Sequence, residues 1–70
     1  MAAYEVIVQY RSGSPASDIK VSNGYNFKTY YSDKRGRVIF EIDASSVTLY
    51  VDGRDEGKIY PGKAVVTLSR

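Results

Sequence analysis

The most reactive-looking letters of the chain cluster in the stretch VTLYVDGRDEGKIYPGK, Val47 to Lys63. Asp52, Asp55 and Glu56, spaced by Gly53 and Gly57, offer several carboxylate oxygens on a bendable segment, which is what a hard cation such as calcium requires. Their spacing does not fit the twelve-residue helix-loop-helix calcium motif, and Arg54 puts a positive charge inside the cluster. Asp-Gly is also the dipeptide that a tight hairpin demands, because both central residues of a type I′ turn need positive φ. The stretch is therefore expected to turn the chain, and no metal or other cofactor is expected.

Catalysis has little to work with. General acid-base chemistry near neutral pH most often uses histidine, and the chain has none. A serine nucleophile would have to recruit lysine or tyrosine, and a chain of 70 residues rarely encloses a pocket of the required size. Glu41 and Asp43 are spaced like paired carboxylates, but strand alternation sends both to the solvated side. The expectation is a non-enzymatic protein.

Two surfaces remain. The window KTYYSDKRGR, Lys28 to Arg37, holds four basic residues and one acidic one around two tyrosines. Phosphate neutralisation by Lys and Arg, combined with base stacking on an exposed ring, holds single-stranded nucleic acid without sequence readout. Lys28, Tyr30, Lys34, Arg35 and Arg37 are the candidates for such a polyanion site. The plainer reading is that edge strands and turns carry cations to deter pairing with other chains. The second surface is apolar: Ile7, Tyr30, Ile39 and Tyr50 all fall at outward positions, and on neighbouring strands they would form one interaction patch.

Composition bounds both. Seventy residues supply one core, hence a single domain over 1–70. With no cysteine there is no disulfide, and with neither cysteine nor histidine a zinc site would rest on carboxylates alone, so packing or self-association must hold the chain together. A chain 43% hydrophobic and 26% charged folds. Net charge +2 gives little long-range steering toward polyanions. No basic leader with an apolar run opens the sequence, and no stretch approaches the roughly 20 apolar residues of a membrane span. As given, the chain reads as cytoplasmic; an exported origin requires a leader removed beforehand.

The elements that must position these residues are strands, because apolar residues recur with period two and never with helical spacing for more than a turn. YEVIVQY, Tyr4 to Tyr10, turns Tyr4, Val6, Val8 and Tyr10 to one face. Gly13 and Pro15 break the next segment. Ile19 to Val21 runs into Asn23-Gly24, a second type I′ hairpin signal, and the return strand Tyr25 to Tyr31 is expected to bury Tyr25, Phe27, Thr29 and Tyr31. Asp33 and Gly36 suit an early and a left-handed turn position. RVIFEI, Arg37 to Ile42, and VTLYV, Val47 to Val51, alternate cleanly. A short strand near Lys58 to Tyr60, a Pro61-Gly62 turn and AVVTL, Ala64 to Leu68, complete seven strands. Their number and spacing point to an all-β sandwich or small barrel.

With the strands placed, three segments resemble the transthyretin-like, carboxypeptidase-regulatory-like family of immunoglobulin-type sandwiches: GSPASDIKV (Gly13 to Val21), YSDKRGRVIFEI (Tyr31 to Ile42) and VTLYVDGR (Val47 to Arg54). The last also looks like the hairpin of the PEGA surface-layer repeat. The resemblance implies a seven-strand Greek-key sandwich that serves as a non-catalytic accessory or adhesion module. The expected function is thus protein interaction or structural assembly, with a protein partner or a second copy. Binding of single-stranded nucleic acid or another polyanion is the alternative.

Overall fold

The computed structural model describes residues 1–69. Within them the chain is all β: seven strands, no helix and two sheets. The strands are β1 (Ala2–Gln9), β2 (Lys20–Asn23), β3 (Tyr30–Tyr31), β4 (Arg37–Ile42), β5 (Val47–Val51), β6 (Arg54–Ile59) and β7 (Gly62–Thr67). One sheet has the order β4-β1-β7, the other β3-β2-β5-β6. All pairs are antiparallel except β1 with β7. β6 and β7 follow each other in sequence yet lie in different sheets, so Tyr60 and Pro61 carry the chain across the sandwich and the Pro61-Gly62 pair closes no hairpin.

The core lies between the sheets and is built from the alternation. Tyr4, Val6 and Val8 of β1, Val38, Phe40 and Ile42 of β4, and Val47, Leu49 and Val51 of β5 are all buried. Three rings join the two layers: Phe40 stacks on Tyr4 at 5.3 Å and on Tyr30 at 5.4 Å between centroids. The Tyr4 hydroxyl, too polar to be buried alone, donates to the Ala44 carbonyl at 2.7 Å.

Two turns take the forms that their residues favour. Asp52 and Gly53 adopt φ of 54° and 80°, the paired positive values of a type I′ turn between β5 and β6. Gly36 sits at φ 75° in the turn before β4.

The segment after β2 does not follow expectation. Asn23 is not the first central residue of a two-residue turn; it ends β2 with its side chain fully buried. Its Oδ1 accepts from the Tyr25 and Asn26 amides at 3.0 and 3.1 Å, and its carbonyl accepts from the Phe27 amide. The chain coils around that side chain, an Asx-type competition with the ladder. Phe27 then takes a left-handed φ of 54°, and regular pairing resumes only at Tyr30. This non-extended residue inverts the alternation. Tyr30, expected outward, faces the core; Tyr25, Phe27 and Tyr31, expected inward, are 52%, 69% and 64% exposed.

One buried polar residue escaped the pattern altogether. Ser32, 3% exposed, accepts from the Ile19 amide at 2.9 Å through Oγ and donates to the Ala16 carbonyl at 2.6 Å. It fastens the loop before β2 to the segment directly after β3. Ser32→Ala is expected to cost about 1–3 kcal/mol, because a buried donor and a buried acceptor both lose their partner. A urea titration should show a lower midpoint with an unchanged slope.

Candidate interaction surface

The outer face of the β4-β1-β7 sheet carries the side chains that alternate with the core. Register sets Ile7 of β1 opposite Arg37 of β4 and Val65 of β7, and Glu5 opposite Ile39 and Lys63. Ile39 is thus diagonal to Ile7, and Ile7 is flanked by Val65. Ile39 and Val65 are each 56% exposed. The apolar diagonal is framed by charge: Arg37 Nη1 lies 3.7 Å from Glu5 Oε2. A shallow depression of about 280 Å³ opens beside it, lined by Ala3, Tyr4, Glu5, Ile39, Gly62 and Lys63.

Of the four residues expected to share an apolar patch, the structure therefore brings together Ile7 and Ile39. Tyr50 belongs to the other sheet, where the Phe27 ring stacks over it at 6.4 Å. Tyr30 points inward against Phe40. Val65, which sequence reasoning passed over, takes their place. The signal was present in AVVTL, but the face could be assigned only once β7 was known to pair with β1.

The five polyanion candidates are also dispersed. Lys28 lies on the β2–β3 loop, while Lys34 and Arg35 lie on the turn beyond the other end of β3. Arg37 joins Glu5 on the outer face of the other sheet, and the half-buried Tyr30 ring is stacked on Phe40 against the core rather than turned outward beside Lys28. The exposed rings near Lys28 are those of Tyr25 and Phe27.

The acidic, glycine-spaced tip between β5 and β6 is exposed. Asp55 Oδ1 accepts from the Gly57 amide at 2.7 Å, and Glu56 is the extra residue of a bulge, since Tyr50 faces Asp55 while Leu49 faces Gly57. Among the described residues no group of three or more acidic side chains is placed to hold a metal ion. None of the described residues forms a helix long and apolar enough to cross a membrane.

The edge of β4 is the most consequential feature. Both backbone groups of Arg37 turn to Asp33: the Asp33 amide donates to the Arg37 carbonyl at 3.1 Å, and the Arg37 amide donates to Asp33 Oδ1 at 2.9 Å. The Gly36 carbonyl accepts from the Val8 amide of β1 at 2.7 Å. Because backbone groups alternate sides along an antiparallel strand, Val38, Phe40 and Ile42 bond to β1 while Ile39 and Glu41 direct their N–H and C=O groups away from it. Among the described residues no strand pairs with that edge. β4 thus ends its sheet with two residues' worth of open donors and acceptors, and Asp33 caps the position before them.

Asp33 is held as the carboxylate. The hydrogen bonds from the Arg37 and Arg35 amides, with the nearby guanidinium charges, lower its pKa below the ordinary value despite a small opposing effect of burial. A depressed folded-state pKa stabilises above the unfolded value and is lost as pH falls through the folded one. Acidification through that lowered value, beneath the ordinary carboxylate range, should therefore release the cap. Protection of the Arg35 and Arg37 amides, taken relative to the intrinsic exchange rate at each pH, should fall there in the native protein, while Asp33→Asn should show the same protection on both sides of that range.

Comparison with protein-family models, curated proteins and solved structures returns no match, so what the chain does has to be argued from its own fold and its own surface.

Proposed function

We propose that the chain is a non-enzymatic interaction module that works by strand addition: an extended protein segment pairs with the open edge of β4 and lays its outward side chains against Ile39, Ile7 and Val65. The single observation behind this reading is the combination, on one six-residue strand, of unpaired backbone groups at Ile39 and Glu41 with an exposed apolar side chain between two charged ones. Main-chain hydrogen bonds supply affinity in strand addition, and alternate side chains supply specificity. The residues also argue for it by what they lack, since neither histidine nor cysteine is present to support catalysis.

The transthyretin-like resemblance belongs to this reading. In immunoglobulin constant domains the first strand pairs with the second. Here β1 lies between β4 and β7 while β2 joins β3 and β5, a strand order that differs from that arrangement. An accessory or assembly role follows from the resemblance more readily than an enzymatic one.

The test is a titration of isotope-labelled protein with an eight-residue peptide copying Gly36 to Asp43. Shifts and slowed exchange at the Ile39 and Glu41 amides are expected, and Ile39→Pro should abolish them. Proline is tolerated at that position because the lost N–H faces outward from the sheet. Saturating peptide that leaves the β4 amides unmoved overturns the proposal.

A further inference from the structure

We infer that the natural occupant of the β4 edge is the β4 strand of a second copy, paired antiparallel about a two-fold axis through Phe40. This rests on the strand-addition reading above and goes further by naming both partner and register.

The four sheet edges are not equivalent. β3 is two residues long. β6 is bulged and carries Arg54, Asp55, Glu56 and Lys58, both of which deter pairing. β7 opens after a proline and holds Lys63 with no acidic residue, so two copies of it would meet with uncompensated charge. β4 alone is six residues of unbroken alternation with a base near one end and an acid near the other, Arg37 and Glu41.

Register follows from the backbone. Only Ile39 and Glu41 present open groups, so a symmetric antiparallel pair can centre on Ile39, on Phe40 or on Glu41. Centring on Ile39 sets Glu41 of one chain opposite Arg37 of the other, but Asp33 already fills that slot. Centring on Glu41 puts two carboxylates directly opposite each other, a destabilising arrangement. Centring on Phe40 sets Ile39 opposite Glu41 in both directions and makes four interchain hydrogen bonds from all the open groups. Ile42 of one chain then stops opposite Val38 of the other, just short of Asp33. Glu41 becomes diagonal to the other chain's Arg37, within reach of an ion pair, and the two Ile39 side chains become diagonal neighbours, joining the two apolar faces. The two-fold closes the assembly at a dimer through this edge.

The chain has no cysteine, so introduced ones report unambiguously. Ile39→Cys and Glu41→Cys both fall at exposed positions. An equimolar mixture of these single variants should form a covalent dimer under mild oxidation at least about tenfold faster than either alone, because only the mixed pair falls within disulfide reach. Sedimentation of the native chain at up to about 1 mM should show a dimer. Arg37→Glu and Glu41→Arg should each shift it toward monomer, and the double reversal should restore it. Equal cross-linking of Ile39→Cys alone overturns the register. A strict monomer, in a protein whose Ile39 and Glu41 amides still respond to the strand peptide, overturns self-pairing while leaving strand addition intact; loss of both responses overturns the two together.

Discussion

Gly36→Ala is expected to leave the chain largely unfolded at room temperature. Gly36 has φ 75°, a conformation that costs an L residue about 1–2 kcal/mol. An added Cβ would also press into the Val8 carbonyl oxygen and stand 3.1 Å from the Ala16 amide, two backbone groups with no freedom to rotate away. Those groups belong to a small knot in which the Val8 amide donates to Gly36 at 2.7 Å and the Ala16 amide donates to Val8 at 2.9 Å. Displacing the turn breaks both bonds, at about 1 kcal/mol each. The sum, about 3–4 kcal/mol, lies within the roughly 3–5 kcal/mol that a core of this size supplies in total. Gly53 provides the control, because it has a similar φ of 80° and nothing within 4 Å of its added Cβ. Gly53→Ala should cost only the conformational part, about 1–2 kcal/mol. Denaturant midpoints of the two variants isolate the steric component, and equal midpoints would contradict the argument.

Phe40→Ala has an effect of comparable size by a different route. Truncating a buried phenylalanine costs about 3–5 kcal/mol, through lost transfer energy and the cavity left behind. Phe40 is 4% exposed and its ring lies between Tyr4 of its own sheet and Tyr30 of the other, so its loss removes the aromatic link between the layers. Ile39→Ala, one residue away on the outer face, should stay within about 0.5 kcal/mol. Far-ultraviolet circular dichroism with urea would separate them: a folded baseline for the Ile39 variant, little or none for the Phe40 variant.

The interaction surface was only partly visible in the letters. Alternation places Ile7 and Ile39 outward, and their strands pair. It places Tyr50 outward too, but period two says which face of a strand a residue occupies and not which sheet the strand joins. Tyr30 failed for another reason. Asn23-Gly24 carries the turn chemistry of a two-residue hairpin, yet burial of the Asn23 side chain lets its Oδ1 gather the following amides, and the register of everything up to β3 shifts by one. The open edge of β4 could not have been seen at all, since an edge exists only once neighbours are counted.

The sequence by itself determined that the chain is built of strands, which residues of β1, β4 and β5 face inward, where Asp52-Gly53 and Gly36 turn it, and that histidine and cysteine chemistry is closed to it. These are local matters, set by side-chain volume, alternation and allowed φ. Tertiary structure decided that β1 lies between β4 and β7, that Tyr30 packs against the core, and that Ile39 and Glu41 keep unpaired backbone groups beside an apolar face. Each of these depends on which distant segment lies alongside, a contest among long-range pairings of similar local quality that only the packing of the whole chain resolves.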